Sequence, residues 1–285
     1  MRRGRRKGTA FGEELKIDRI ILRDVVDLAR VVAVVNQKGG VGKSTTAVNL
    51  GAYLAVLGNR VLLIDCDPQG NATSGVGVEK RKIKLCMYNV LIGGRSLDEV
   101  ILHTAIENFH VAPARIDLAG AEVELVSTIS REYRLKRALE GIKGKYEYIL
   151  IDAPPSLGLL TINGLSCADG VVVPIQCEYY ALEGLSQLVS TIDLVRKHLN
   201  EHLVIDGVLM TMYDVRTNLS QQVVEEVQGV FGEKVFKTIV PRNVKLSEAP
   251  SFGQPIVLYD DRSKGALAYR ELAEEFIGRL GAKAS

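Results

Sequence analysis

A lysine and a serine stand together at positions 43 and 44, behind Gly39, Gly40 and Gly42, in the string Lys38-Gly39-Gly40-Val41-Gly42-Lys43-Ser44-Thr45. Glycines in this density let the main chain approach an anion without side chains in the way, so several backbone N–H groups can point at one phosphate. Lys43 can reach the β- and γ-phosphates of a nucleotide, and the Ser44 hydroxyl can sit on a magnesium ion. The apolar run Val31-Val32-Ala33-Val34-Val35 comes before the loop, and Ala47 to Leu57 follows it with helical spacing. The glycines therefore occupy a strand-to-helix turn, where the helix N-terminus adds its own attraction for anions. The expected ligand is a nucleoside triphosphate with Mg²⁺.

Two further apolar runs end in carboxylates. Val61-Leu62-Leu63-Ile64 leads into Asp65-Cys66-Asp67-Pro68-Gln69-Gly70-Asn71, and Tyr148-Ile149-Leu150-Ile151 leads into Asp152-Ala153-Pro154-Pro155-Ser156. An aspartate at the end of a strand beside a phosphate loop has the Walker B arrangement. Asp152 can hold the magnesium shell through water, because Mg²⁺ keeps several waters and takes few carboxylates. Asp65 and Asp67 lie two apart in an extended segment, so their side chains start on one side of the chain. One can organise the metal shell and the other position an attacking water.

The rhythm of the chain places these groups on a common scaffold. Strands are expected at Val31–Asn36, Val61–Asp65, Phe109–Ala112, Tyr148–Asp152, Gly170–Ile175, Val204–Met212 and Lys234–Ile239, with helical patterns between most of them. Alternating β and α elements with nearly continuous apolar strands predict an α/β fold, a mostly parallel twisted sheet with helices on both faces. Ligands should then gather at the carboxyl ends of the strands. The fold expected is that of a P-loop nucleotide hydrolase. With no fixed-period repeat or low-complexity linker, residues 31–285 read as a single ATPase domain.

Composition is compatible with that reading. The chain has 285 residues, 47% of them hydrophobic and 25% charged, enough to bury a large core. A formal net charge of +2 is too small to argue for a nucleic-acid partner, so that claim rests on local patches. Cys66, Cys86, Cys167 and Cys177 form no C-x-x-C pair and lie in apolar contexts, which predicts buried, reduced thiols in a cytoplasmic protein. No run of 18 apolar residues is present to span a membrane. Residues 1–30 read as a basic, flexible appendage: Arg2, Arg3, Arg5, Arg6 and Lys7 crowd its start, and Arg23, Asp24, Asp27 and Arg30 break up its second half. Its charge can assist DNA binding.

The phosphate loop departs from the general spacing G-x-x-x-x-G-K-[ST]: position 37 is Gln37 and a second lysine, Lys38, comes directly after it. This resembles the deviant Walker A class, in which the early lysine reaches across a nucleotide-sandwich dimer to the partner's phosphates. The strings NQKGGVGKSTTAVNLGAYLA, VLLIDCDPQGNATSGVG, LAGAEVELV, REYRLKRAL, YILIDAPPSLGLLTINGL, PIQCEYYALEGLSQL, TMYDVRTNLSQQVVEEV and VPRNVKLSEAPSFGQPIVLYD further resemble the ParA/Soj chromosome-partitioning ATPases, from about Val31 to Leu280. The resemblance implies an ATP- and Mg²⁺-dependent homodimer that binds double-stranded DNA non-specifically, associates with the nucleoid, and is stimulated to hydrolyse ATP by a ParB/Spo0J-type partner.

It also implies roles for individual residues. Lys38, Lys43 and Asp67 are catalytic, Asp67 placing the water; Ser44, Asp65 and Asp152 form the metal side. Residues Lys38, Gly39, Gly40, Val41, Gly42, Lys43, Ser44 and Thr45 hold the phosphates, and Pro241 and Asn243 meet the adenine. Arg216 and Lys245 match basic positions that contact DNA.

Sister families make different demands. A MinD-like membrane switch needs a basic amphipathic terminal helix, whereas RELAEEFIGRLGAKAS carries Glu271, Glu274 and Glu275, so the Leu272, Phe276 and Leu280 stripe is expected to pack on the core. An iron protein of the nitrogenase type needs cysteines to share a cluster across the dimer, and none of these four has a matching glycine-rich context. A ligase of this class needs a second, small-substrate pocket.

Overall fold

A computed structural model describes residues 29–178 and 183–284. The appendage expected over residues 1–30 therefore falls, up to residue 28, outside the described residues. Among the described residues, eight strands form one sheet: β1 (Arg30–Val34), β2 (Val61–Asp65), β3 (Leu102–His103), β4 (Phe109–Ala112), β5 (Tyr148–Asp152), β6 (Gly170–Gln176), β7 (Val204–Tyr213) and β8 (Val235–Pro241). Their order across the sheet is β3-β4-β2-β5-β1-β6-β7-β8, and every pairing is parallel except β3 with β4. All seven strands expected from the sequence are present: β2, β4 and β5 match at both ends, and the other four differ by one or two residues at an end. The eighth, β3, is only two residues long, too short for any periodicity to announce it.

Alternation along β1 explains why the sheet is covered twice. Val31, Ala33 and Val35 belong to the core on one face, while Val32 and Val34 belong to the core on the other. The second face is covered by α1 (Lys43–Val56), which comes after the glycine loop, and by the C-terminal helix. That C-terminal helix is α7 (Lys264–Ala284), and five further helices bear on the site or its surroundings: α2 (Asn71–Gly75), α3 (Leu159–Cys167), α4 (Glu183–His198), α5 (Asn218–Phe231) and α6 (Val244–Glu248).

Helix α7 packs as its apolar stripe predicts. Leu272 and Phe276 are buried and Leu280 is partly so, so this stripe packs on the core. Its acidic residues have structural work as well. The Glu275 carboxylate accepts hydrogen bonds from the N–H groups of Lys237 and Thr238 and from the Thr238 hydroxyl, at 2.8, 2.9 and 2.8 Å, and so fastens the helix to β8. Among the described residues, no helix is long and apolar enough to cross a membrane. The four cysteines are buried and unbonded to one another, and burial pushes the thiols of Cys167 and Cys177 up to about 12.

Parallel register brings the acidic strand ends together. Val34 pairs with Asp152 across β1 and β5, and Asp65 pairs with Asp152 across β2 and β5. Both carboxylates thus stand at the carboxyl edge of the sheet, next to the loop that leaves β1. That is where an open α/β sheet places its ligand.

Candidate functional site: a phosphate loop over buried carboxylates

The loop from Asn36 to Gly42 is held at both ends by side chains. Asn36 donates through Nδ2 to the carbonyl of Pro174 at 2.8 Å, and its Oδ1 accepts from the N–H of Lys38 at 3.0 Å. Further along, the Thr211 hydroxyl donates to the carbonyl of Val41 at 2.9 Å. The loop is therefore fastened to β6 and β7, strands far away in sequence. Gly40 and Gly42 have φ of 75° and 93°, a left-handed conformation that strains any residue with a Cβ. Gly39 does not, and a Cβ built there meets nothing within 4 Å.

Gly42 begins α1, and the start of that helix is chemically open. No side chain caps it, no acidic residue lies in its first turn, and its first internal hydrogen bond runs from the Thr46 N–H to the Gly42 carbonyl at 2.8 Å. Uncapped N–H groups and the positive end of the helix dipole together favour an anion at this point. Lys43 reinforces it: the residue is buried, 7% exposed, and its ammonium donates to the carbonyl of Lys38 at 3.0 Å. Burial pulls its pKa below the usual lysine value, while Asp152 and Asp67 oppose that fall.

The three aspartates differ in what their oxygens touch. Asp65 is fully buried and already engaged: Oδ1 accepts from the Asp67 N–H at 3.1 Å, and Oδ2 accepts from both the N–H and the hydroxyl of Thr73 at 2.7 Å. Asp65 thus ties the end of β2 to α2, and Thr73 in turn accepts from the Ala114 N–H at 2.9 Å. Burial raises the Asp65 pKa to about 6, with the Thr73 and Asp67 hydrogen bonds pulling the other way. Asp152 is equally buried, but neither of its oxygens has a standard hydrogen-bond partner among the described residues. The Ser44 hydroxyl is close enough to lower its pKa, yet burial and the neighbouring Asp65 hold that carboxyl well above the ordinary range. Asp67 lines the cavity and is fixed by the Gln69 N–H, which donates to its Oδ1 at 2.9 Å.

Above these groups lies a cavity of about 830 Å³, large enough for a nucleotide. Gly39, Gly40, Gly42, Lys43, Ser44 and Thr45 form one wall; Asp67 and Gln69 another; Pro241, Arg242 and Asn243 close the far side. Val41 is buried beneath the loop, and Lys38 is exposed at its outer edge. Asn243 caps α6, its Oδ1 accepting from the Lys245 N–H at 2.8 Å. Of the residues singled out in the sequence, Gly39, Gly40, Gly42, Lys43, Ser44, Thr45, Asp67, Pro241 and Asn243 line this cavity, whereas Lys38, Val41, Asp65, Asp152, Arg216 and Lys245 do not. The loop bearing Arg216 adjoins the cavity rim, because Tyr213 pairs with Pro241 and its carbonyl accepts from the Arg242 N–H at 2.9 Å.

Several contributors escaped the sequence reading. Thr211, Met212 and Tyr269 all line the cavity. Met212 adopts φ 53°, unusual for a residue with a side chain, between the Thr211 anchor and the β8 pairing. Tyr269, on α7, shares a 3.1 Å hydrogen bond with the Thr46 hydroxyl on α1. Asn49 accepts from the Ile256 N–H at 2.7 Å and donates to the Thr45 carbonyl at 2.8 Å. Only topology brings these residues to the loop, and no local spacing marks them.

Comparison with known proteins agrees with this geometry. A family model described as an AAA domain matches residues 29–205. The sporulation initiation inhibitor protein Soj of Bacillus subtilis is 62% identical over 248 residues, which cover 87% of this chain and 98% of that protein. The chromosome partitioning protein ParA of Myxococcus xanthus is 54% identical over 252 residues, 88% of this chain and 89% of the relative. Among solved structures, a cobyrinic acid a,c-diamide synthase from Mycobacterium smegmatis with bound ATP analogue and magnesium superposes with a TM-score of 0.80 at 40% identity, covering 90% of this chain and 97% of the other. With its phosphate loop, its paired strand-end aspartates and relatives matched over nearly their full length, the chain belongs to the ParA/Soj family of chromosome-partitioning ATPases.

Proposed function

We propose that this ATPase works as a nucleotide-gated dimer: ATP and Mg²⁺ join two copies, the joined form binds double-stranded DNA without regard to sequence, and a ParB/Spo0J-type partner triggers hydrolysis. The observation that carries this reading is the open edge of the phosphate loop. Lys38, Gly39 and Gly40 are exposed, and a Cβ built at either glycine meets nothing within 4 Å, which leaves room for a second copy to approach the nucleotide. Lys38 then reaches the partner's phosphates and supplies positive charge where hydrolysis develops negative charge.

Within one copy the roles divide by environment. Lys43 and the uncapped N-terminus of α1 hold the phosphates. Ser44 and Asp152 suit the magnesium shell, since Asp152 is a buried carboxylate with open oxygens. When bound, the ion neutralises charge on the β- and γ-phosphates. The Asp65 oxygens are already engaged by N–H and O–H donors, so its contribution to the metal side is to hold the loop that carries Asp67. Asp67, fixed by Gln69 and facing the cavity, orients the attacking water. Pro241 and Asn243 border the space for adenine.

Arg216 and Lys245 supply the DNA contacts, doubled by the dimer. Phosphate contact without base reading suits a protein that moves over the whole nucleoid in the cytoplasm. The buried stripe of α7 supports this reading over a MinD-like membrane switch. A gel-shift experiment on two unrelated duplexes with ATP, with ADP and with no nucleotide tests the proposal. Retardation of both duplexes with ATP alone is expected; equal retardation without nucleotide, or none with ATP, would contradict it.

A further inference from the structure

Arg216, Arg242 and Lys245 come together at the rim of the nucleotide cavity, and each faces a carboxylate of its own chain. Arg216 grips Asp214 with two nitrogens, Nε at 2.9 Å from Oδ1 and Nη2 at 2.6 Å from Oδ2. Arg242 Nη2 lies 2.9 Å from Glu178 Oε1, and Lys245 Nζ lies 3.0 Å from Glu248 Oε2. All three cations are substantially open to solvent, with side-chain exposures of 81%, 57% and 46% respectively.

The fold places these pairs together. Tyr213 pairs with Pro241, and the Arg242 N–H donates to the Tyr213 carbonyl at 2.9 Å, so the loop with Asp214 and Arg216 abuts the segment with Arg242 and Lys245. The pairs are built locally as well. Asp214 precedes Arg216 by two residues and its Oδ1 also accepts the Arg216 N–H at 3.0 Å, while Glu248 lies beyond Lys245 on the same helix and also accepts from the Tyr259 hydroxyl at 2.9 Å. A guanidinium bridged by two carboxylate oxygens is gripped as it would grip two oxygens of a phosphate.

We infer that Asp214 and Glu248, with Glu178 beside them, act as internal substitutes for DNA phosphate: they occupy the cations of the DNA face and hold the affinity of the dimer below what those cations alone would give. This rests on the proposed DNA-binding role of Arg216 and Lys245. Ion pairs with solvent-exposed cations are weak, the two-point Arg216–Asp214 pair with its 19% exposed carboxylate being the firmest of the three, and a duplex offers many phosphates and releases counterions with which to displace the carboxylates. The consequence is a grip that is easily reversed, because each cation has a partner to return to when the phosphate leaves.

Asp214→Asn and Glu248→Gln test the inference, because each removes charge and keeps an acceptor oxygen for the neighbouring N–H or O–H. Glu201→Gln, an exposed residue just before β7 at the opposite end of the sheet, makes the same change in net charge away from the patch. DNA affinity is measured by fluorescence anisotropy on a random duplex with ATP and Mg²⁺, alongside Arg216→Ala. Breaking one such pair is expected to tighten binding about 1.4- to 5-fold per copy, or about 2- to 30-fold for a symmetric dimer, with Glu201→Gln unchanged. If Arg216→Ala weakens binding while Asp214→Asn and Glu248→Gln do not tighten it, the carboxylates are inert and the inference fails alone. Equal tightening by Glu201→Gln would likewise overturn it, reducing the effect to net charge. If Arg216→Ala binds like the parent, the DNA role itself is wrong, and the inference falls with it.

Discussion

The ammonium of Lys43 donates to the main-chain carbonyl of Lys38 at 3.0 Å, so the lysine proposed to hold the phosphates also braces the residue proposed to meet a second copy. One contact therefore links the two roles proposed for the loop. Lys38 keeps its side chain free at the outer edge, and its backbone is fixed from within.

Lys43→Ala removes both the phosphate charge and the brace. Loss of one charge-assisted contact from a buried lysine to phosphate weakens ATP binding by about 10- to 100-fold or more. Isothermal titration should show ATP binding lost, and with it ATP-dependent dimerisation and DNA binding. Unchanged affinity would refute the loop assignment.

Gly39→Val separates binding from pairing. The position has space for a side chain in one copy and needs no left-handed φ, so the variant should fold and bind ATP within about threefold of the parent while failing to dimerise. Lys38→Gln should likewise bind ATP but lose hydrolysis. Asp67→Ala should do the reverse of Gly39→Val, retaining ATP as a persistent dimer on gel filtration.

The buried carboxylates predict an unusual pH dependence. Asp65 and Asp152 both titrate above their unfolded values, Asp65 at about 6, so the folded state binds more protons than the unfolded chain. The favourable contribution of Asp65 is complete below the unfolded value near 3.8 and is lost as pH rises through about 6, and that of Asp152 is lost as pH rises through its own raised value. Nucleotide-free protein should accordingly be stabilised by Asp152→Asn at pH 7. An unpaired buried group costs about 1–3 kcal/mol, so calorimetry should show a melting temperature higher by at least about 2 °C. The same variant should lose Mg²⁺-dependent hydrolysis, and a lower melting temperature would contradict the unpaired state of that carboxylate.

Arg216→Ala should weaken DNA binding equally on unrelated duplexes. The slope of log affinity against log salt should fall by about 0.9 for one lost phosphate contact, and by about twice that when both copies of a dimer lose it. A salt titration from low to moderate ionic strength measures it, and an unchanged slope would remove Arg216 from the interface.

Much of this site is legible in the sequence because its chemistry is local. Gly40, Gly42, Lys43 and Ser44 are neighbours in the chain, and Asp65 and Asp152 each close an apolar run that marks a buried strand. The β1–β5–β2 register then joins them, a relationship that a parallel sheet makes predictable in kind but not in detail. Spacing cannot show which carboxylate is already occupied. Asp65 and Asp152 have the same setting in sequence, yet Thr73, eight residues beyond Asp65, takes up its Oδ2 and the Asp67 N–H its Oδ1, while neither Asp152 oxygen has a standard partner among the described residues. Thr211, Asn49 and Tyr269 are hidden for a related reason: each acts across a long sequence separation, so only the folded sheet reveals it. The ion pairs of Arg216 and Lys245 are short-range, since Asp214 and Glu248 lie two and three residues away, but side-chain direction decides them.

The most direct measurement is the rate of ATP hydrolysis with no addition, with DNA, and with DNA plus the ParB-type protein of the same genome. Slow turnover alone is expected, because positioning and charge in one copy do not complete the site. The account predicts a marked rise, roughly tenfold or more, only when DNA and the partner are both present, and no such rise in Lys38→Gln. A rate indifferent to DNA and partner, or a full response in Lys38→Gln, would contradict it.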